Sequence, residues 1–215
     1  MRKLLYIGGD GYTPELVQPF FSYLQLHGIT PIFVPLREEV DTCSYEQLEP
    51  DSYCDYIDGY ADGCDIGYGI SKGSHWLRVY ASKRPGKFKH IVLVEETTMN
   101  PSQMVKYEEQ RGNDFIYDYK RQQEPMYMLD STHKALDAIV SDSGKYFPKC
   151  PIDIVWTSRD NQNRPYTPDV IHMKREYVRY LRNGGCRINV HNVDSDHCID
   201  THEKWFGWLL KLIIN

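Results

Sequence analysis

Three polar side chains in this chain have the types and order needed to cleave an acyl bond through a covalent intermediate: Ser71, Asp160 and His197. Ser71 is the centre of Gly69-Ile70-Ser71-Lys72-Gly73, a G-x-S-x-G pentapeptide. A strand-like run, Asp65-Ile66-Gly67-Tyr68, precedes it, and a helix-like run, Trp76 to Ala81, follows. A serine on so sharp a turn needs small residues two positions either side, because the turn brings backbones together. The following helix points its first amides at whatever the serine attacks.

A serine hydroxyl is a poor nucleophile near neutral pH. A histidine must take its proton, and a carboxylate must hold that imidazole in the right tautomer. His197 stands in a loop after the last expected strand, which gives it reach. His191 falls inside that strand, His202 at the start of the final helix, His172 in the preceding helix, and His75 one helical turn after Ser71, where burial suits it better than catalysis. For the acid, Asp160 follows the strand ending at Trp156. Glu96 is the principal alternative, ahead of Glu95, Asp194 and Asp196. The intermediate's oxygen needs amide donors; the N–H of Lys72 and one from the first loop, near Asp10, are the candidates. No residue set is read as holding a metal or an organic cofactor.

The elements that must position these groups alternate between strand and helix. Expected strands are Lys3–Ile7, Ile29–Val34, Asp65–Tyr68, Ile91–Val94, Ile152–Trp156 and Arg187–Val193. Thr13 and Pro14 have the character of an N-cap and first helical residue, and Leu16, Phe20, Phe21 and Leu24 recur at helical spacing up to Gly28. Further helices are expected at 76–81, from Ile171 to Arg182, and from about Thr201 to Ile214. This alternation predicts a mostly parallel sheet flanked by helices. Such sheets place their sites at the carboxyl ends of the strands, where Ser71, Asp160 and His197 all fall.

The 215 residues suit one domain, with 41% apolar and 26% charged residues. The net charge of −5 argues against a nucleic-acid partner. No stretch approaches the roughly 20 apolar residues needed to span a bilayer, and the amino terminus lacks the features of a signal peptide. The six cysteines form no C-x-x-C pair, which suits reduced thiols and a cytoplasmic location. The 17 tyrosines are read as packing residues. An acidic segment, Glu38 to Asp65, precedes the basic turn Lys83, Arg84, Lys87 and Lys89, so the two are expected to pair.

On these residues the chain resembles the α/β-hydrolase family over nearly its whole length. Leu4 to Tyr12 is similar to that family's first-loop segment, Gly69–Gly73 to its nucleophile elbow, Val155–Asp160 to its acid-bearing strand end, and Ser195-Asp196-His197 to its histidine loop. The resemblance implies a reduced version of that fold, with a core of residues 1–96 and 151–215 and a cap-like helical insertion at 97–150. The insertion's Phe115, Tyr117, Tyr119 and Tyr127 would suit an apolar lid. It also implies hydrolysis of a small carboxylic ester or thioester without metal or organic cofactor. Two residues depart from the family pattern: Gly8 replaces the usual first-loop histidine, and Asp10 stands where an apolar residue is commoner. A carboxylate aimed into an oxyanion site would oppose the developing charge, so either Asp10 turns away, towards Lys72, or the oxyanion site is a poor one. A hydrolase-fold binding protein without catalysis, an acyltransferase and a peptidase are the alternative readings.

Overall fold

In a computed structural model of the chain, the structure describes residues 2–40, 49–96, 146–160 and 163–214. Six strands form one sheet: β1 (Arg2–Ile7), β2 (Ile29–Val34), β3 (Cys64–Ile70), β4 (His90–Val94), β5 (Ile152–Thr157) and β6 (Ile188–Val193). Their order is β2-β1-β3-β4-β5-β6, and every neighbouring pair is parallel. The helices are α1 (Pro14–Leu26), α2 (Arg37–Val40), α3 (Pro50–Asp58), α4 (Lys72–Lys83), α5 (Pro168–Asn183) and α6 (Glu203–Ile214). A 3-10 turn, Ile199–Thr201, precedes α6. The parallel sheet flanked by helices is therefore as expected. The insertion expected at 97–150 lies outside the described residues except for 146–150, as do its expected lid aromatics.

The hydrophobic alternation of the strands divides the core in two. Leu5 and Ile7 face the layer of α3, α4 and α5, with Tyr53, Trp76, Leu77 and Leu181. Leu4 and Tyr6 face the layer of α1 and α6, with Phe20, Leu24, Phe206 and Leu209. Each fully buried side chain of this size contributes about 1.5–3 kcal/mol of transfer free energy. Helix α1 starts as its sequence suggests: the Thr13 hydroxyl accepts from the Leu16 amide at 3.3 Å, and Pro14 takes the first position. Leu16, however, is 45% exposed; Val17 joins Phe20, Phe21 and Leu24 on the buried stripe instead.

Strand β3 reaches two residues further than expected because its alternation, Ile66-Gly67-Tyr68-Gly69-Ile70, puts glycine on one face. A Cβ on Gly67 would stand 2.7 Å from Leu77 Cδ1, and one on Gly69 2.7 Å from Ser74 Cα. The missing side chains let α4 lie directly on β3. The acidic and basic segments do pair: Lys83 with Asp51 at 2.7 Å, Arg84 with Asp55 and Asp58, and Lys89 with Asp65 at 2.8 Å. The Lys83 and Arg84 pairs join α3 to the end of α4, the Lys89 pair joins β3 to the start of β4, and each exposed pair contributes little alone.

Strand β1 has β2 on one side and β3 on the other. The chain leaves β1 through α1 on one face of the sheet and reaches β3 through α3, which packs on the opposite face. The loops after β1 and β3 therefore leave the sheet towards opposite faces, the point at which an open parallel sheet usually takes its ligand.

Candidate active site

Ser71 sits at that switch in the sheet, between β3 and α4, with φ 54° and ψ −126°. A non-glycine residue in this region stores about 1–3 kcal/mol of strain, and surrounding contacts must impose it. Those contacts are visible. The Ser71 amide donates to the Val94 carbonyl at 2.8 Å, and the Ser74 hydroxyl donates to the same carbonyl at 2.8 Å. On the other side Gly9 is pressed against the serine: a Cβ there would lie 2.9 Å from Ser71 Cβ and 3.5 Å from Oγ. Gly73 lets the turn approach β1, since a Cβ would come within 2.2 Å of the Ile7 and Gly8 carbonyl oxygens. The small residues of the pentapeptide thus answer to close backbone approaches.

The first loop is latched to the same turn. Lys72 Nζ pairs with Asp10 Oδ1, and Lys72 is only 6% exposed. Asp10 turns towards Lys72, and its charge is compensated next to the elbow. Gly11, at φ 72°, and the Tyr12 amide, donating to Gly9 O at 3.1 Å, fold the loop back beside Ser71.

His197 lies in the loop after β6, partly buried. Its Nδ1 stands 3.7 Å from Oε2 of Glu95, the first residue after β4. Asp160, expected at the imidazole, is instead held by Arg164, which donates to it through its backbone amide at 2.9 Å and through Nε at 2.8 Å. The carboxylate facing the imidazole in the structure is thus that of Glu95; a strand-end aspartate with a cation four residues on closes its own turn. Glu96, the principal alternative, points the other way. It accepts from Arg78 Nε at 2.6 Å in the core beneath α4. Asp194 pairs with Arg159 at 2.7 Å, and Asp196 with His202 at 2.9 Å.

Glu95 is a heavily engaged carboxylate. It accepts from the Thr157 amide, from the Tyr166 hydroxyl at 2.6 Å, and from Lys174 Nζ at 3.0 Å on each oxygen. Its own amide donates to the Val155 carbonyl at 2.9 Å, and its φ is 47°. Burial raises its pKa, but the facing His197 and the Lys174 charge outweigh that and hold it near about 2. Lys174 is lowered, first by burial, against the opposing pull of Glu95. Behind this cluster a cavity of about 870 Å³ opens between α5 and β6, lined by Trp156, Thr157, Tyr166, Lys174, Val178 and Val190 among others.

The rival histidines stand elsewhere. His191 meets Asp153 at 2.6 Å, and His75 is 2% exposed, with burial and then Arg78 keeping it neutral. His172 is exposed on α5. Sequence reasoning ranked Glu95 low and missed Lys174 and Tyr166. The available signal was position, since Glu95 follows β4 as directly as Ser71 follows β3. Of two adjacent glutamates leaving a strand, only the three-dimensional turn decides which faces the site. Among the described residues no group of three or more histidine, cysteine, aspartate or glutamate side chains is arranged to hold a metal ion, and no helix is long and apolar enough to cross a membrane. The five described cysteines are free thiols.

No family model matches the sequence, and no curated protein matches it. Solved structures do resemble it. An E-2-(acetamidomethylene)succinate hydrolase superposes with a TM-score of 0.66 at 16% identity, covering 100% of this chain and 92% of that one. A Paleococcus ferrophilus monoacylglycerol lipase gives 0.63 at 14% identity, covering 98% and 91%. An alpha/beta hydrolase from the metagenome of sediments of the Mar Chica lagoon, Morocco, gives 0.63 at 17% identity, covering 98% and 89%. The chain has the α/β-hydrolase fold.

Proposed function

We propose that the protein is a serine hydrolase that cleaves a small carboxylic ester or thioester through an acyl-enzyme. The observation that carries this reading is the forced conformation of Ser71 where the chain leaves β3 beside β1. Strain of this kind persists where a side chain must be presented, and a capping serine does not need it. The helix-start amides beside it and the His197–Glu95 contact on the same edge of the sheet support the same chemistry.

In this mechanism Ser71 Oγ attacks the acyl carbon while its proton passes to His197 Nε2. Glu95 faces Nδ1, holds the imidazole in the tautomer that leaves Nε2 as acceptor, and stabilises the imidazolium that forms. The amides of Lys72 and Asp10 hold the oxyanion. Collapse breaks the bond to the leaving group, which takes the proton from His197. Water, deprotonated by the same imidazole, then releases the acid and restores Ser71. Compensation of Asp10 by Lys72 keeps a carboxylate beside the oxyanion from opposing the step. The triad acid in this proposal is Glu95 in place of Asp160.

The test is covalent labelling of Ser71 by a fluorophosphonate together with hydrolysis of p-nitrophenyl esters of increasing chain length. Labelling at Ser71 and turnover that Ser71→Ala abolishes support the reading. Turnover unchanged in that variant sinks it, and a folded wild-type protein that neither labels nor turns over is a binding protein on this fold.

A further inference from the structure

Lys174 is a buried cation. It stands on α5, with its side chain 8% exposed, and its ammonium lies 3.0 Å from both oxygens of Glu95. The same nitrogen sits 3.8 Å from the centroid of the Tyr166 ring and 5.7 Å from that of Trp156. Tyr166 in turn donates its hydroxyl to Glu95 at 2.6 Å. A lysine this buried carries a desolvation cost that one carboxylate must offset, and a methionine or leucine would fill the same space without it.

We propose that Lys174 is a positioning residue for the Glu95–His197 pair: its ammonium, shared by both oxygens of Glu95, fixes that carboxylate's rotamer and offsets part of its charge, so that Glu95 orients the imidazole without holding it permanently protonated. The inference rests on the reading of Glu95 and His197 as triad partners. A general base must be neutral to accept the serine's proton. A buried carboxylate 3.7 Å away, uncompensated, would favour the charged imidazole and withdraw the base from service over the lower part of the pH range. A cation on the far side of that carboxylate weakens the attraction.

The neighbouring charges do not supply this balance. On the loop after β5, Asp160 is paired with Arg164. On the histidine loop, Asp194 is paired with Arg159 and Asp196 with His202. At the elbow, Lys72 is paired with Asp10. Among the described residues, Lys174 is the cation that touches Glu95 together with His197.

The experiment is an NMR titration of the His197 imidazole, assigned by its loss in His197→Gln, in wild type, Lys174→Met and Lys174→Arg. The midpoint should rise by about one pH unit in Lys174→Met, the scale of one nearby charge, and stay at the wild-type value in Lys174→Arg. The acid limb of fluorophosphonate labelling of Ser71 should move upward by about the same one unit in that variant. A midpoint in Lys174→Met equal to or below wild type overturns the proposal. Should Lys174→Met not fold, Lys174→Gln carries the same test. Wild-type protein that fails to label overturns the hydrolase reading, while the imidazole titration still decides the charge effect of Lys174.

Discussion

The hydroxyl of Tyr6 donates to Oδ2 of Asp200 at 2.6 Å, joining residues 194 apart in sequence with both side chains fully buried. Tyr12, from the loop beside Ser71, reaches Oδ1 of the same carboxylate at 3.4 Å. Asp200 belongs to the 3-10 turn that follows His197. One buried acid thus ties the first strand and the first loop to the histidine loop. Burial raises the Asp200 carboxyl against the opposing donation from Tyr6.

Asp200→Ala should cost about 2–3 kcal/mol, because two tyrosine hydroxyls lose their acceptor in the core. Asp200→Asn keeps an acceptor and should cost less than about 1 kcal/mol near pH 4. The sign of the pH dependence follows from the raised carboxyl. Its favourable contribution is complete below the unfolded value and is lost as pH rises through the folded one. Asp200→Asn should therefore gain on wild type as pH rises, as measured by urea denaturation at pH 4 and pH 7.

The position of the acid is tested by three amides. Glu95→Gln should lower kcat for a p-nitrophenyl ester at least ~100-fold with the fold intact. Asp160→Asn should stay within a few-fold of wild type, since its carboxylate serves Arg164. Glu96→Gln should act chiefly on stability, because it leaves the fully buried Arg78 without its carboxylate. A larger loss of kcat in Asp160→Asn than in Glu95→Gln would restore the sequence-based assignment.

The strain at Ser71 predicts a stability difference between two inactive variants. Alanine must adopt the same φ of 54°, whereas glycine adopts it freely. Ser71→Gly should therefore be more stable than Ser71→Ala by about 1 kcal/mol, with both lacking turnover. Equal denaturation midpoints would mean that the turn is unstrained.

Acid should destabilise the protein through Glu95 and Asp153. Asp153 meets His90 at 2.5 Å and His191 at 2.6 Å. Burial raises its carboxyl, but the two histidines and Asn189 overcome that and hold it near about 2. For both groups the stabilisation is complete above the unfolded carboxylate value, roughly 4, and is lost as pH falls towards about 2. Asp153→Asn should show a shallower loss of stability between those limits in urea denaturation, while being less stable than wild type at pH 7.

What the sequence determined by itself is local. The strand-turn-helix around Ser71 depends on residues within a few positions of it, as does the cap at Thr13. The parallel sense of the sheet followed from strands alternating with helices. The loop position of His197 was legible because it follows the last strand, and the turn of Asp10 towards Lys72 was one of two outcomes the sequence allowed. The tertiary structure alone decided which acid meets the imidazole. Asp160, Glu95 and Glu96 all follow strands, and each is drawn to a different cation, Arg164, Lys174 and Arg78. Those partners lie 4, 79 and 18 residues away. A pairing across 79 residues exists only once α5 packs on the sheet, so no local pattern around Glu95 could reveal it.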